Sequence, residues 1–199
     1  MEALQKLFTN EVADLYDAEQ QILKALPKMI EGCSSPELRE ALQEHLTVTQ
    51  GQVARLEEIF RDLGEKPSKK CKGMAGIIAE GDEMLKENLE ASSKDAGIIG
   101  AAQKVEHYEI ASYGTARTLA DVLGNERAAQ LLEETLDEEK EADELLTQIA
   151  ESSINMEAAS EEATTGNGRS GNRRTRSATK SRSKSRTTRR TRGRAKTSH

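Results

Sequence analysis

Four long stretches of this 199-residue chain repeat apolar residues at steps of three and four positions, which is the spacing of one buried helical face. The stretches span residues 2–31, 35–63, 95–123 and 126–154. The first shows the pattern through Leu4, Phe8, Val12, Leu15, Ile22, Leu26, Met29 and Ile30. None of residues 1–155 follow the alternating pattern of a strand. The sequence therefore predicts an all-α fold, and about 155 residues are enough to build one core.

The lengths of the connections between these helices predict the topology. Short glycine-containing turns at residues 32–35 and 124–125 close two pairs of helices, and such turns join antiparallel neighbours. Residues 64–94 form a much longer connection, with a weaker helical pattern around residues 76–89. A connection of this length can cross a bundle and return in the same direction. We therefore predict a ferritin-like four-helix bundle with one crossover that contains a short fifth helix.

Each predicted helix interrupts its apolar face with polar residues, where an unpaired charge is costly. These residues are Glu19, His45, Glu106, Glu109, Glu139 and, one turn further on, Asp143. A single inward acid is more often at the edge of an apolar face, and a single histidine is more often an ordinary core residue. Converging groups on four helices require a cation or a shared proton, and carboxylates with an imidazole suit iron or manganese. The six residues are our predicted metal ligands. His107 is excluded, because it lies about 100° of helix from Glu106.

The C-terminal residues 166–199 differ sharply in charge from the rest of the chain. They contain thirteen Lys or Arg and no acidic residue, whereas residues 1–165 contain sixteen basic residues against all 35 acidic ones. The two parts therefore carry formal charges of +13 and −19. Ser, Thr and Gly fill the gaps between the tail's basic residues, so the tail cannot bury enough apolar surface to offset its ordering entropy. We predict a bundle domain of residues 1–155, an acidic linker of residues 156–165 and a disordered tail.

A cationic arm of this kind predicts a polyanionic partner, and nucleic acid is the first candidate. The tail has no aromatic residue for base stacking, so its affinity would come from phosphate contacts and would be nonspecific in sequence and steeply salt-dependent. The predicted contact residues are Arg169, Arg173, Arg174, Arg176, Lys180, Arg182, Lys184, Arg186, Arg189, Arg190, Arg192, Arg194 and Lys196. The alternatives are a solubilising tail and one that folds back on the acidic body. Phosphorylation of the intervening Ser and Thr would cancel much of the charge.

The sequence also bears on location. No basic region followed by an apolar run stands after Met1, and no stretch approaches the roughly 20 apolar residues of a membrane span. Cys33 and Cys71 have no Cys or His partner at zinc-site spacing and fit a reducing compartment. These features predict a cytoplasmic protein.

The segment Ala102-Gln-Lys-Val-Glu-His-Tyr-Glu-Ile-Ala-Ser-Tyr-Gly-Thr115 resembles the signature of the YciE/YciF-type ferritin-like family of bacterial stress proteins. Residues 15–20, 51–57, 71–74 and 134–140 agree with that family in order and spacing, so the resemblance covers about residues 1–155. It implies a ferritin-like four-helix bundle, a homodimer and a dinuclear metal site. By position, it would place the same six polar residues at that site.

The sequence departs from the wider di-iron pattern, which has Glu-x-x-His on two helices. On the fourth helix, Glu139 is followed by Ala142 at the histidine position. On the second, relatives often have an acid after the histidine, where this chain has Thr47 and Val48 after His45.

These observations predict a cytoplasmic bacterial stress protein in which a ferritin-like bundle holds a dinuclear iron or manganese site. Its cationic tail would tether it to nucleic acid and associate it with the nucleoid. Two other classes stay open: a metal-dependent oxidative enzyme of the oxidase or peroxidase type, and a metal-free bundle that is structural or binds a partner.

Overall fold

A computed structural model describes residues 1–167, and in that range the chain is helical without any strand. The predicted contact residues of the basic tail all lie outside the described residues. The elements are α1 (Glu2–Gly32), α2 (Pro36–Leu63), α3 (Lys72–Met84), α4 (Ala91–Leu123), α5 (Glu126–Ile149), a π-helical turn (Ala150–Ile154) and α6 (Asn155–Asn167). None of the helices in this range is long and apolar enough to cross a membrane.

The turns that separate the long helices use the residues that such turns require. Ser35 caps α2 by accepting a hydrogen bond from the Leu38 backbone at 3.3 Å. Asn125 caps α5 in the same way. Gly64 and Gly124 end α2 and α4 in the left-handed conformation, with φ of 66° and 73°, where a side chain would be strained. The helix boundaries therefore follow from local chemistry that is visible in the sequence.

The crossover topology predicted from the loop lengths is confirmed. α1 and α4 run antiparallel, since Asp95 near the start of α4 meets the end of α1, and Tyr108 further along α4 reaches back to Asp14. The same Asp95 accepts hydrogen bonds from the backbones of Ser34 and Ser35 at 2.8 and 2.7 Å, so α2 and α4 begin at the same end of the bundle. α5 packs antiparallel to both α4 and α2. The result is a ferritin-like bundle with parallel α2 and α4.

Two apolar clusters fill the bundle, one towards each end. The first, around Ile22, Leu26, Leu38 and Leu42, lies at the end where α2 and α4 begin. The second surrounds Phe8. Both include residues from all four long helices. Between them lies a layer of buried polar side chains: Glu19, His45, Thr49, Gln52, Glu106, Glu109, Thr135 and Glu139. The polar residues of the sequence pattern thus form one layer across the middle of the bundle.

The crossover connection is fixed to the bundle by a group of polar residues that we call the crossover clamp: Asp14, Asp17, Gln21, Lys69, Lys70, Cys71 and Tyr108. Asp17 accepts hydrogen bonds from Lys70 at 2.6 Å, from the Cys71 backbone at 2.9 Å and from Gln21 at 2.7 Å. Asp14 accepts one from Tyr108 at 2.6 Å and pairs with Lys69 at 3.0 Å. The clamp places α3 against α1 and α4.

Three segments differ in their boundaries from the predicted ones. The short helix, expected at residues 76–89, begins at Lys72, because the Cys71 sulfur caps it in a role that cysteine rarely takes, and it ends at Met84. α4 begins at Ala91, before its apolar pattern starts. The C-terminal end of α5 continues through the π-helical turn into α6. Residues 156–165, which the sequence predicts as an acidic linker, are therefore helical.

Candidate metal centre

The middle layer of the bundle brings together five of the six predicted ligands. Glu19 comes from α1, His45 from α2, Glu106 and Glu109 from α4, and Glu139 from α5. The four glutamates are between 0 and 3 % exposed and the histidine is 9 % exposed. Each side chain continues the buried face of its own helix, and therefore the helical repeat that buries the apolar residues also points these groups inward.

The arrangement is compact enough for a cation. One potential ligand atom from each of His45, Glu106, Glu109 and Glu139 lies within 4.8 Å of the others. The Nε2 atom of His45 is 3.5 Å from Oε1 of Glu106 and 4.0 Å from Oε2 of Glu139. Glu19 adjoins this group on the α1 side, where it interacts electrostatically with Glu139 and Glu109.

The electrostatics of this layer are unfavourable as they stand. One oxygen of each of Glu19, Glu106, Glu109 and Glu139 is buried without a hydrogen-bond partner. Among the described residues, no Lys or Arg forms an ion pair with any of these carboxylates. A buried carboxylate oxygen without a partner costs free energy, about 1–3 kcal/mol in mutational data and more when it is charged. The four oxygens therefore require either protons or a cation.

The pKa values of the buried glutamates reflect the same unfavourable electrostatics. Burial, followed by the charge of Glu139, raises the pKa of Glu19 to about 8. Burial and the neighbouring carboxylates raise the pKa values of Glu106 and Glu109 well above their usual range. Without a cation, these side chains hold protons at pH values where an exposed glutamate is ionised. A cation would replace those protons, so its binding would be coupled to proton release.

Several partners hold the carboxylates in place, and the sequence pattern did not single them out. The Tyr113 hydroxyl donates to Glu19 Oε1, and the Gln52 amide donates to Glu139 Oε1. Gln52 also donates to Glu138 at 3.1 Å, and Arg55 pairs with the same Glu138 at 2.5 Å. For Tyr113 the sequence does contain a signal, since this residue stands four positions after Glu109 and therefore lies on the same face of the helix. Such partners fix the orientation of ligating carboxylates in metal sites.

Asp143, the sixth predicted ligand, lies at the edge of the layer. Its side chain is 23 % exposed and contacts His107 Nε2 at 3.2 Å and Gln103 at 3.0 Å. His107 itself points outward, as its offset from Glu106 predicts. The carboxylate of Asp143 therefore belongs to a half-exposed network between α4 and α5 and does not join the buried group.

The donor set fits a divalent cation that prefers oxygen ligands. Four carboxylates and one imidazole suit iron or manganese, and the four orphaned oxygens are the groups that a cation would satisfy. Ala142 occupies the histidine position of the Glu-x-x-His pattern on α5, and Val48 stands on α2 where relatives often have an acid; both line a cavity beside the centre.

Residues 3–159 match the family described as Domain of unknown function (DUF892). This match spans most of the chain and all of the four-helix bundle. The chain belongs to the DUF892 family. The resemblance noted from the signature around Glu106 and Glu109 is confirmed by this match and by the relatives that follow.

Protein YciF of Escherichia coli strain K12 is 41% identical to this chain over 160 residues, which are 79% of this chain and 96% of YciF. The crystal structure of that E. coli stress protein superimposes with a TM-score of 0.74 over 78% of this chain and 99% of YciF. YcfI from Rhodopseudomonas palustris is 43% identical, with a TM-score of 0.70 over 72% and 92% of the two chains. The similarity therefore covers the bundle and its polar middle layer.

Proposed function

We propose that this chain is a bacterial stress protein of the YciF type whose buried middle layer binds iron or manganese in a dinuclear centre. The observation that supports this most strongly is the set of four orphaned carboxylate oxygens, one on each of four buried glutamates. Buried charges in proteins are paired with an opposite charge or coordinate a metal. A cation shared by facing carboxylates supplies that charge.

In this proposal the protein ligands are Glu19, His45, Glu106, Glu109 and Glu139. Tyr113 and Gln52 would act as positioning residues, through their hydrogen bonds to Glu19 and Glu139. Bound iron would supply one-electron redox chemistry in a polar layer that lies between the two apolar clusters. The Cys71 sulfur lies in the crossover clamp and the Cys33 thiol donates to the Met29 carbonyl, so neither cysteine joins the proposed ligands.

Elemental analysis of the full-length protein, expressed without chelators, tests the metal proposal directly. We expect iron or manganese at a fixed ratio to protein and expect the ratio to fall to background in Glu106→Gln, Glu139→Gln protein. The matched control is Glu31→Gln, Glu83→Gln, which removes two exposed acids of the same type elsewhere on the bundle. A metal content of zero in the native protein would favour the metal-free structural or partner-binding bundle.

An oxidative activity is the second candidate, and the burial of Tyr113 against the centre is the observation that favours it. If iron at this site reacts, the native protein should oxidise Fe²⁺ with peroxide or oxygen faster than Glu106→Ala, Glu139→Ala protein does. Equal rates would restrict the centre to binding.

We further propose that the bundle forms a homodimer. The basic tail, residues 166–199, would bind nucleic acid and hold the protein on the nucleoid in the cytoplasm. The support is the charge contrast of +13 against −19 within one chain. Affinity for duplex DNA should fall with salt at a log–log slope of about −0.9 per phosphate neutralised and should show little sequence preference. Deletion of residues 166–199 should abolish the binding and leave the helical content of the bundle intact. Undiminished binding by the truncated protein would refute a role for the tail.

A further inference from the structure

A cavity of about 200 Å³ lies between α2 and α5 and ends at the candidate metal centre. His45 and Glu106 form its inner end, while Glu44 and Glu141, both exposed, lie at its outer end. Ala142 and Val48 are among the small and apolar side chains of its walls. At about 30 Å³ of liquid per water molecule, the cavity has room for several waters, so a hydrated cation fits inside it.

A residue at the inner end carries a buried acceptor that has no partner. Glu106 lines the cavity, is 3 % exposed, and its Oε2 atom accepts no hydrogen bond. A second cavity touches the same residue from the side of α1, α3 and α4. That cavity measures only about 30 Å³ and is lined mainly by apolar residues such as Ile22 and Met29. A hydrated cation has neither the space nor the polar contacts to pass that way.

The outer end of the larger cavity is acidic. Glu138 pairs with Arg55 at 2.5 Å, so its charge is largely compensated. Glu44 and Glu141 form no ion pair among the described residues, although both line the cavity. Two uncompensated carboxylates at the mouth of a low-dielectric opening concentrate cations there and raise their rate of entry.

We infer that the cavity between α2 and α5 is the entrance through which divalent cations reach the buried carboxylates, with Glu44 and Glu141 as the residues that attract them. The inference rests on the proposed metal centre and adds its access route. It also gives a physical reason for the short side chains at Ala142 and Val48, because longer side chains at these positions would fill the passage.

The test separates the rate of loading from the final occupancy, using the full-length metal-free protein and Co²⁺ alone as the probe. Stopped-flow mixing with a fluorescent chelator that reports free Co²⁺ gives the rate, and elemental analysis gives the stoichiometry. In Glu44→Gln, Glu141→Gln protein we expect the rate at low ionic strength to fall about three- to tenfold, with unchanged stoichiometry. The difference should vanish near 1 M salt, where the Debye length is about 3 Å.

Three further variants complete the design. Ala142→Leu narrows the passage sterically and should slow the loading of Co²⁺ both at low ionic strength and near 1 M salt. If thermal unfolding shows that Ala142→Leu destabilises the bundle, Val48→Met is used in its place. Glu31→Gln, Glu83→Gln, with the same change in net charge, should load at the native rate. Native rates in both the mouth and the passage variants would overturn the entrance and leave the centre standing. If the native protein takes up no Co²⁺, the proposed centre fails and the entrance fails with it.

Discussion

Two acids that stand two residues apart on α1 face different surroundings, and the contrast between them separates a structural site from a candidate ligand site. Asp17 belongs to the crossover clamp and accepts hydrogen bonds from Lys70, the Cys71 backbone and Gln21. Glu19, two residues later, faces other carboxylates in the middle layer and retains one oxygen with no partner. Both side chains are buried. Burial alone therefore does not distinguish the two roles.

The pKa values express the difference. Burial would raise the pKa of Asp17, but the hydrogen bonds from its three partners outweigh it and lower that pKa. For Glu19, burial and the charge of Glu139 act in the same direction and raise the pKa to about 8. The clamp is therefore complete without any ligand, whereas the middle layer is complete only when protons or a cation occupy it.

The largest expected effect concerns cation binding in the middle layer. In Glu106→Gln, Glu139→Gln protein, the affinity for Mn²⁺ measured by calorimetry should fall by about two orders of magnitude or more, since two of the charged ligands are lost. Asp17→Ala protein serves as the comparison and should keep its affinity, because the clamp supplies no ligand. If the Asp17 variant loses affinity as strongly as the double variant, the two regions are not functionally separate.

The second prediction concerns the pH dependence of the metal-free protein. The raised pKa of Glu19 means that between its usual value of 4.5 and about 8 the folded state binds more protons than the unfolded state. This contribution to stability is fully present below pH 4.5 and is lost as the pH rises through 8. The free energy of unfolding in urea with EDTA should thus fall by about 1–3 kcal/mol from pH 5 to pH 8. Asp17 has a lowered pKa, so its contribution stays constant in that window.

Two controls sharpen the pH experiment. Glu109→Gln removes one raised pKa and should make the profile flatter. Saturating Mn²⁺ should reverse the trend, because the cation competes with protons and binds more tightly as the pH rises. A metal-free profile that is flat or that rises towards pH 8 would contradict the assignment of raised pKa values to this layer.

The third prediction concerns the clamp. Asp17→Ala leaves the backbone N–H of Cys71 and the amide of Gln21 without their acceptor and should destabilise the protein by about 2 kcal/mol in urea unfolding at pH 7. The exposed Glu83→Gln substitution, on α3 itself, is the control and should change little. An unaltered stability for Asp17→Ala would mean that the crossover is held by its apolar contacts alone.

The sequence predicted the bundle well because its signals are local. Helix ends at Ser35, Gly64 and Asn125 follow from capping chemistry, and the length of the crossover determined the parallel course of α2 and α4. The short helix was placed less well, since its cap is the sulfur of Cys71 and not one of the usual capping oxygens. Local periodicity is therefore a sound guide where standard caps are present.

The candidate site was predictable in part for the same reason. Helical periodicity pointed Glu19 and Glu139 inward, but it cannot resolve a 40° difference in direction, and this is the difference between Glu139 and Asp143 one turn later. Asp143 turns to His107 and Gln103, which are tertiary partners. The positioning roles of Gln52 and Tyr113 also depend on which helices face each other, and that information lies outside any single helix.

The smallest expected effect comes from completing the Glu-x-x-His pattern that α5 lacks. Ala142 lines the cavity that ends at His45 and Glu106, so an imidazole at this position has space to turn towards the centre. Ala142→His should raise the affinity for Mn²⁺ or Co²⁺ by up to about tenfold, the lower end of the range for changes around a metal's ligands. Calorimetry at pH 7 measures the gain, and Ala142→Gln, similar in size but without an imidazole, is the matched control. Equal affinities in the two variants would place position 142 too far from the cation to ligate it, and the four carboxylates with His45 would then be the whole of the protein's contribution.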